Sequence, residues 1–409
     1  MARQNGIVKR YGIVGLTYPF RGGIAQYTTS LYMALKQRHE VRLFSFKRQY
    51  PEFLFPGKTQ LDPSNSPLKI PHDPILDPMA PWTWNSAAHE IARYKPDIVL
   101  MMWWNPFFAL MFRAVSGTLR RVAEVPVVFL CHNVQPHEGI FFDRWLLRMA
   151  YRKPSHFLVQ SKEERKRLKA FRPDAPSHVV FHPAYTFFDQ GSKTRERALS
   201  KLVRRGVLGV PKAGSGTSGN DRRVLLFFGH VRHYKGLDVL IRALPKVLEH
   251  TPVELLVVGE FYESREQYEM LIGQLGLRNT IRIVDQYVPN EDVGLYFEAA
   301  DVVILPYRSG TQSGVVPLAY QFERPVIVTR IGGIPEVVDH GRTGLLVETE
   351  DPDALSSAIL RFYNEKLGSV FKPHLKPAAN RLSWSALVDE IDRFLSVTEP
   401  VPFPSNTQI

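Results

Sequence analysis

The sequence predicts two doubly wound α/β domains, Rossmann-like halves facing one another across a cleft, and three observations carry that prediction. Strand-like and helix-like runs alternate almost from end to end, the pattern of parallel sheets with helices on both faces. At 409 residues the chain exceeds what one ordinary core holds. The alternation breaks once, between Gln190 and Arg223, where a charged helix is followed by AGSGTSGN, a run with no apolar anchor. The expected division is a first domain over residues 1–188, a charged helix and flexible linker over 189–222, and a second domain over 223–382. A terminal amphipathic helix, residues 383–400, is expected to pack back on the first domain.

In order, YGIVGL reads as a strand, GGIAQYTTSLYMALKQR as a helix, HEVRLFSF as a strand, AAHEIARYK as a helix and PDIVLMMW as a buried strand. VPVVFLCHN, SHFLVQS and SHVVFHP continue as strands, the last closing the first half near Pro183. After the linker the strands are RVLLFFG, VELLVVGE, TIRIVDQ, DVVILPY, PVIVT and GLLVE, with helices KGLDVLIRALPKVLEH, REQYEMLIGQLGL and EDVGLYFEAA between them. DPD at 351–353 precedes ALSSAIL and reads as a helix cap. Trp103, Trp104 and Asn105 end a strand and suit either core packing or stacking on a sugar.

A composition of 44% hydrophobic and 22% charged residues excludes a disordered chain. The single cysteine, Cys131, excludes an internal disulfide, fits a reducing compartment and reads as a buried strand-end residue. No signal peptide opens the sequence, and the longest apolar run, residues 98–112, is broken by Asn105 and Pro106. The chain is therefore expected in the cytoplasm, soluble or peripheral at the inner face of the membrane. Net charge is +12, and between Gly139 and Val210 bases outnumber acids by roughly ten. Basic helices across residues 144–172 suit either an anionic membrane surface or plain solvent. No nucleic-acid module accompanies them, so nucleic acid is not expected as a partner.

In doubly wound sheets ligands bind beyond the carboxyl ends of the strands, so the loops there are the candidates. Gly22 and Gly23 stand before a helix, either as a tight turn or as amides that attract an anion. They lack the GxGxxG spacing, and FSFKR offers no ribose-binding acid, which argues against a nicotinamide dehydrogenase. CHNVQPHE places His132 and Asn133 at a strand end with His137 and Glu138 close behind. The histidine suits a sugar hydroxyl, a reacting group or a loop cap, and the cluster lacks the convergence of a metal site. In FFGHVRHYKG, Arg232 and Lys235 lie between Gly229 and Gly236, a fork and a point charge suited to a diphosphate. The loop SGTQSGVVPLAYQFERP brings Gln312, Ser313, Gly314 and Val315 to a helix start, where amides can hold phosphate or ribose oxygens.

These stretches, in this order, resemble the retaining GT-B-fold glycosyltransferases of the family 4 (group 1) type, in a TQSG-loop variant. The resemblance runs through nearly the whole chain, and GGIPEVVDHGRTGLLVETEDPDAL is its most specific block. It implies an acceptor-binding first domain and a second domain that binds a nucleoside diphosphate sugar. It makes His132, Arg232 and Lys235 the catalytic residues, with Gly22, Gly23, Gly229, Gln312, Ser313, Gly314 and Val315 on the donor. Asn133, His137 and Glu138 fall on the acceptor side, and residues 285–289 (DQYVP) fall where the family reads the base. It further implies a hexose-type sugar moved to a glycan or lipid-linked acceptor, in polysaccharide or cell-envelope glycan synthesis, with retention and with no metal or other cofactor.

Two departures stand out. His230 occupies the place of the family's arginine, whose role then passes to Arg232, and the two glutamates usual in the last loop and helix are Gly310 and Leu318 here. An inert relative that only grips a nucleotide, and an epimerase of the same fold, are the competing readings.

Overall fold

The structure, a computed structural model, describes residues 7–50, 59–65, 68–135, 143–185, 188, 194–209 and 222–398. It divides into two compact units, the first made of Met1–Asp62, Leu68–Phe181 and Trp384–Ile409, the second of Pro63–Pro67 and His182–Ser383.

In the first unit the chain runs β1 (Arg10–Val14), α1 (Gly23–Lys36), β2 (Glu40–Phe46), β3 (Asp73–Leu76), α2 (Trp84–Arg93), β4 (Ile98–Trp103), α3 (Ala109–Val122), β5 (Val127–Cys131), α4 (Asp143–Tyr151), β6 (His156–Val159), α5 (Lys162–Lys169) and β7 (Ser177–Val179). The strands form one parallel sheet in the order β3-β2-β1-β4-β5-β6-β7. Every residue of β4 and β5 is buried, which is why both read as unbroken apolar runs instead of alternating ones. Trp103 lies in this core, stacked 5.7 Å from Phe129, and Asn105 caps the following turn by accepting from the Phe107 N–H. Core packing is thus the outcome for Trp103.

The second unit holds α6 (Arg195–Arg204), β8 (Val224–Phe228), α7 (Leu237–Leu248), β9 (Glu254–Val258), α8 (Glu266–Gln274), β10 (Ile281–Val284), α9 (Asn290–Ala299), β11 (Val302–Leu305), α10 (Val315–Gln321), β12 (Val326–Thr329), α11 (Ile334–Val337), β13 (Gly344–Val347), α12 (Pro352–Asn364) and α13 (Leu367–Arg381). Its parallel sheet runs β10-β9-β8-β11-β12-β13. Asp351 caps α12 by accepting from the Ala354 N–H at 2.8 Å. Sequence reading passes over α13 because Pro373 and Pro377 look like breakers. Both prolines are exposed, and Phe371, Leu375 and Ala378 bury the opposite face.

The change of unit comes at His182, earlier than residue 188. Ala184 N–H donates to Leu382 O at 2.9 Å, and the rings of His182 and Tyr185 lie against Gly314, so the segment is already part of the second core. The charged helix expected within residues 189–222 is α6, which packs on α9 and is pinned by Arg195–Asp301 at 2.7 Å and Arg205–Asp292 at 3.0 Å. The AGSGTSGN run lies outside the described residues. The last helix, α14 (Trp384–Val397), lies in the first unit on α1, where Asp392 accepts from Tyr11 Oη at 2.6 Å and pairs with His39 at 2.9 Å.

Candidate functional site

At the carboxyl end of β8 the backbone turns sharply at Gly229, whose φ of 109° favours glycine. Its carbonyl is so close to the turn after β9 that a Cβ on Gly259 would stand 2.1 Å from it. The chain then passes through a 3-10 turn, His233–Lys235, to Gly236, where φ is 66° and a Cβ would stand 2.1 Å from Pro306 O. Two tight approaches therefore fix where the turn begins and ends. A bidentate pair of Arg308 with Asp238, at 2.8 and 2.7 Å, ties the strand end after β11 to the first turn of α7, and Arg308 also donates to His233 O at 2.9 Å.

This frame carries the two cations the sequence singles out. Lys235 Nζ lies 2.8 Å from where a Gly229 Cβ would be and 5.2 Å from the centre of the Tyr307 ring. A side chain at 229 would evict the ammonium. Burial lowers the Lys235 pKa, the neighbouring Tyr234 opposes that shift, and the Arg232 charge adds to it. Arg232 stacks over Tyr262 at 4.8 Å, and His230 lies 4.5 Å from the same ring. His230 is also 6.2 Å from Tyr287, so three aromatic rings cluster beyond β8, β9 and β10. Among the described residues neither Arg232 nor Lys235 forms an ion pair with a carboxylate.

The TQSG loop is framed by its own unit. Gly333 N–H donates to Thr311 O at 2.8 Å, and Gln312 Nε2 donates to Gly333 O at 3.3 Å. Ser313 is buried, with Oγ accepting from the Val315 N–H at 3.3 Å and lying 3.5 Å from Tyr307 Oη. The Gln312 and Ser313 side chains thus hold the loop's shape, and Tyr307 joins this loop to Lys235. Leu318 is buried in α10, and Gly310 lies against Ile331. Tyr307, Arg308 and Tyr262 were not legible as site residues, because each acts through a loop distant in sequence.

In the first unit Gly22 precedes α1 with φ 101°, a conformation that explains the glycine, and no side chain caps the helix. Gly22 and Gly23 thus open a 14-residue helix whose dipole favours an anion at this end. His132 follows β5 and is buried, edge-on to Tyr27 at 4.6 Å, with Gln160 Nε2 3.2 Å from Nδ1. With Gln160 donating to Nδ1, the ring proton sits on Nε2. Two groups clamp the next residues: Glu164 accepts from the Val134 N–H, and Tyr151 Oη donates to Val134 O at 2.6 Å. Burial raises the Glu164 pKa, partly offset by the Val134 hydrogen bond and by Arg167. Its sequence signal was the capping pattern SKEE, in which Ser161 accepts from the Glu164 N–H at 3.1 Å. Cys131 is buried, and burial raises its pKa. Asn133 is half-buried, while His137 and Glu138 lie outside the described residues.

The basic helices divide by role. Arg167 pairs with Glu163 and Glu164, and Arg172 donates to Tyr151 O, so both hold the fold. Arg144, Arg148, Lys162, Arg165, Lys166 and Lys169 are exposed, as is Trp145 at 57%. No described helix is long and apolar enough to cross a membrane.

The family described as Glycosyltransferase Family 4 matches residues 21–184, and that described as Glycosyl transferases group 1 matches residues 222–365. Each half of the chain thus matches a glycosyltransferase family model, and the fold is GT-B. The D-inositol 3-phosphate glycosyltransferase of Corynebacterium jeikeium is 30% identical over 189 residues, 44% of this chain and 44% of that one. The match thus spans less than half the length of that relative. Sucrose-phosphate synthase of Thermosynechococcus elongatus superposes with a TM-score of 0.71 at 18% identity, over 95% of this chain and 98% of that one. The Anabaena protein HepE, solved with UDP and glucose, gives 0.70 at 17% identity, over 95% and 100%. At such identities the two structures speak to the GT-B fold.

One titration follows from the site. Burial pushes His182 from its ordinary 6.5 down to about 4, against a hydrogen bond with Pro183 O. The unfolded chain therefore binds a proton that the folded chain refuses between these values, and stability present above pH 6.5 is lost as pH falls toward about 4. Thermal midpoints measured across that range should fall less steeply for His182→Asn than for the wild type.

Proposed function

We propose that the chain transfers a hexose-type sugar from a nucleoside diphosphate sugar to a glycan or lipid-linked acceptor, with retention of anomeric configuration and without a metal. The observation that carries this reading is the pair Arg232 and Lys235, held beyond β8 with no carboxylate partner among the described residues. As the bond between the anomeric carbon and the β-phosphate oxygen breaks, negative charge collects on the diphosphate. Two fixed cations stabilise that charge more than the bound donor's, which lowers the barrier. The acceptor oxygen joins the anomeric carbon from the face the diphosphate leaves, and its proton passes to the departing side.

On this reading Gly229 leaves room for the ammonium, and Gly314 and Val315 offer backbone to the donor beside Gln312 and Ser313. The ring cluster of His230, Tyr262 and Tyr287 suits the flat face of a base. His132 and Asn133, in the first unit, serve the acceptor side, with Glu164 and Tyr151 as their clamps. Gly22 and Gly23 supply amides for the donor's charge. The enzyme works in the cytoplasm on polysaccharide or cell-envelope glycan, and needs no cofactor beyond the donor.

A second reading concerns place. Trp145 is exposed between Arg144 and Arg148, an amphipathic arrangement that suits the interface of an anionic bilayer. The protein is then peripheral at the inner face of the membrane.

Two measurements check these readings. Incubated with a panel of UDP-, GDP- and ADP-hexoses, the wild type should consume one donor, and Arg232→Ala should lose turnover by about a hundredfold while keeping its melting temperature. Wild-type rates in that variant would remove Arg232 from the reaction. Cosedimentation with vesicles containing anionic lipid should be strong at low salt, weak at high salt and reduced in Trp145→Ala; no binding at low salt removes the membrane claim.

A further inference from the structure

The segment HPAY, residues 182–185, reads in sequence only as the end of a strand region, yet it meets the TQSG loop directly. If Gly314 carried a Cβ, that atom would stand 3.0 Å from His182 Cε1, 3.3 Å from Nε2 and 3.4 Å from Tyr185 Cε2. Gly314 has φ −65° and ψ −14°, an ordinary right-handed conformation open to any residue. Backbone geometry therefore does not demand glycine at 314. The two rings disfavour anything larger, because a Cβ there would need them to give by a few tenths of an ångström.

Nor is the histidine ring free to give way. Nδ1 lies 3.0 Å from Pro183 O, so it carries the proton and donates, which leaves a lone pair on Nε2. Tyr185 Oη lies 3.4 Å from that nitrogen and can donate to it, and the two ring centres are 5.4 Å apart. Burial keeps the imidazole neutral at physiological pH. Beyond Gly314 the contacts continue toward the cations: Ser313 Oγ lies 3.5 Å from Tyr307 Oη, the Tyr307 carbonyl accepts from Thr329 Oγ1 at 2.6 Å, and the Tyr307 ring lies beneath Lys235 Nζ.

We infer that His182, with Tyr185, is a positioning residue for the sugar nucleotide: it sets the height of the TQSG loop at Gly314 and, through Ser313 and Tyr307, the place of Lys235. The inference rests on the donor reading of this unit. It gives the missing side chain at 314 a cause. The loop is small there because the group that buttresses it comes from another segment, beside a loop whose positions 310 and 318 lack carboxylates. His182 touches no reacting atom and acts through the loop.

The test is a double-variant cycle read on donor kinetics. Gly314→Ala, which drives a methyl into the His182 ring, should raise the KM for the donor that the wild type consumes by about tenfold, since displacements under an ångström at positioned groups cost that much or more. His182→Ala should do the same by loss of support. Acceptor KM and melting temperature should change little in either variant. Because both changes act on one contact, the double variant should differ from either single variant by less than about twofold. If His182→Ala does not fold, Tyr185→Phe, which removes only the hydroxyl facing Nε2, should raise donor KM in the same direction. Independent, multiplying effects in the double variant, or an unchanged donor KM in Gly314→Ala, overturn the inference while the wild type remains active. A wild type that neither binds nor consumes any UDP-, GDP- or ADP-hexose overturns the donor reading, and this inference with it.

Discussion

Much of the second unit depends on how an ammonium is kept beyond β8 without a carboxylate, among the described residues, to neutralise it. Lys235 Nζ occupies the volume a side chain at 229 would fill, and burial already lowers its pKa. An acidic neighbour would relieve that cost and remove the site's affinity for anions. The surroundings supply rings instead: Tyr307 beneath Lys235 and Tyr262 beneath Arg232. Aromatic faces steady a cation while leaving its outer side open to a phosphate. Two carboxylates of this region are engaged by the turn itself: Asp238 pairs with Arg308, and Glu263 accepts from the His233 N–H. Loop geometry and charge placement meet in the Arg308–Asp238 pair, which both fixes the turn and occupies an acid at the start of α7.

The same economy shapes the TQSG loop. Relatives are expected to use carboxylates there, whereas this chain has Gly310 and a buried Leu318. Its loop is held by backbone carbonyls, by the Gln312 amide and by the close approach at Gly332, where a Cβ would stand 2.1 Å from Gly310 O. What the loop offers a ligand is then set mainly by where its backbone lies.

The two parallel sheets were legible because β4, β5, β8, β9, β11 and β12 are buried on both faces and so read as continuous apolar runs. Gly229, Arg232 and Lys235 were legible because they are neighbours in sequence at a strand end. The close of the first half near Pro183 was legible too, whereas the domain bound at 188 missed that contacts with Leu382 and Gly314 already draw residues 182–185 into the second unit. Helix α13 was hidden by its prolines, whose cost is small where the missing N–H faces solvent. Glu164 shows the same limit from another side. Its local pattern reads as a helix cap, and its hydrogen bond to Val134, 30 residues away, makes it a clamp on the loop of His132. Sequence reveals what a segment is; partners brought together by the sheet order reveal what its side chains do.

The central claim is that Arg232 and Lys235 are placed for a diphosphate. Isothermal titration of the full chain with each nucleoside diphosphate and its monophosphate, for the uridine, guanosine and adenosine series, tests it most directly. For one base the diphosphate should bind at least about tenfold more tightly than the monophosphate, an advantage that shrinks with added salt and disappears in Lys235→Met. Equal affinities of diphosphate and monophosphate in the wild type, or an advantage that survives in Lys235→Met, would contradict the account.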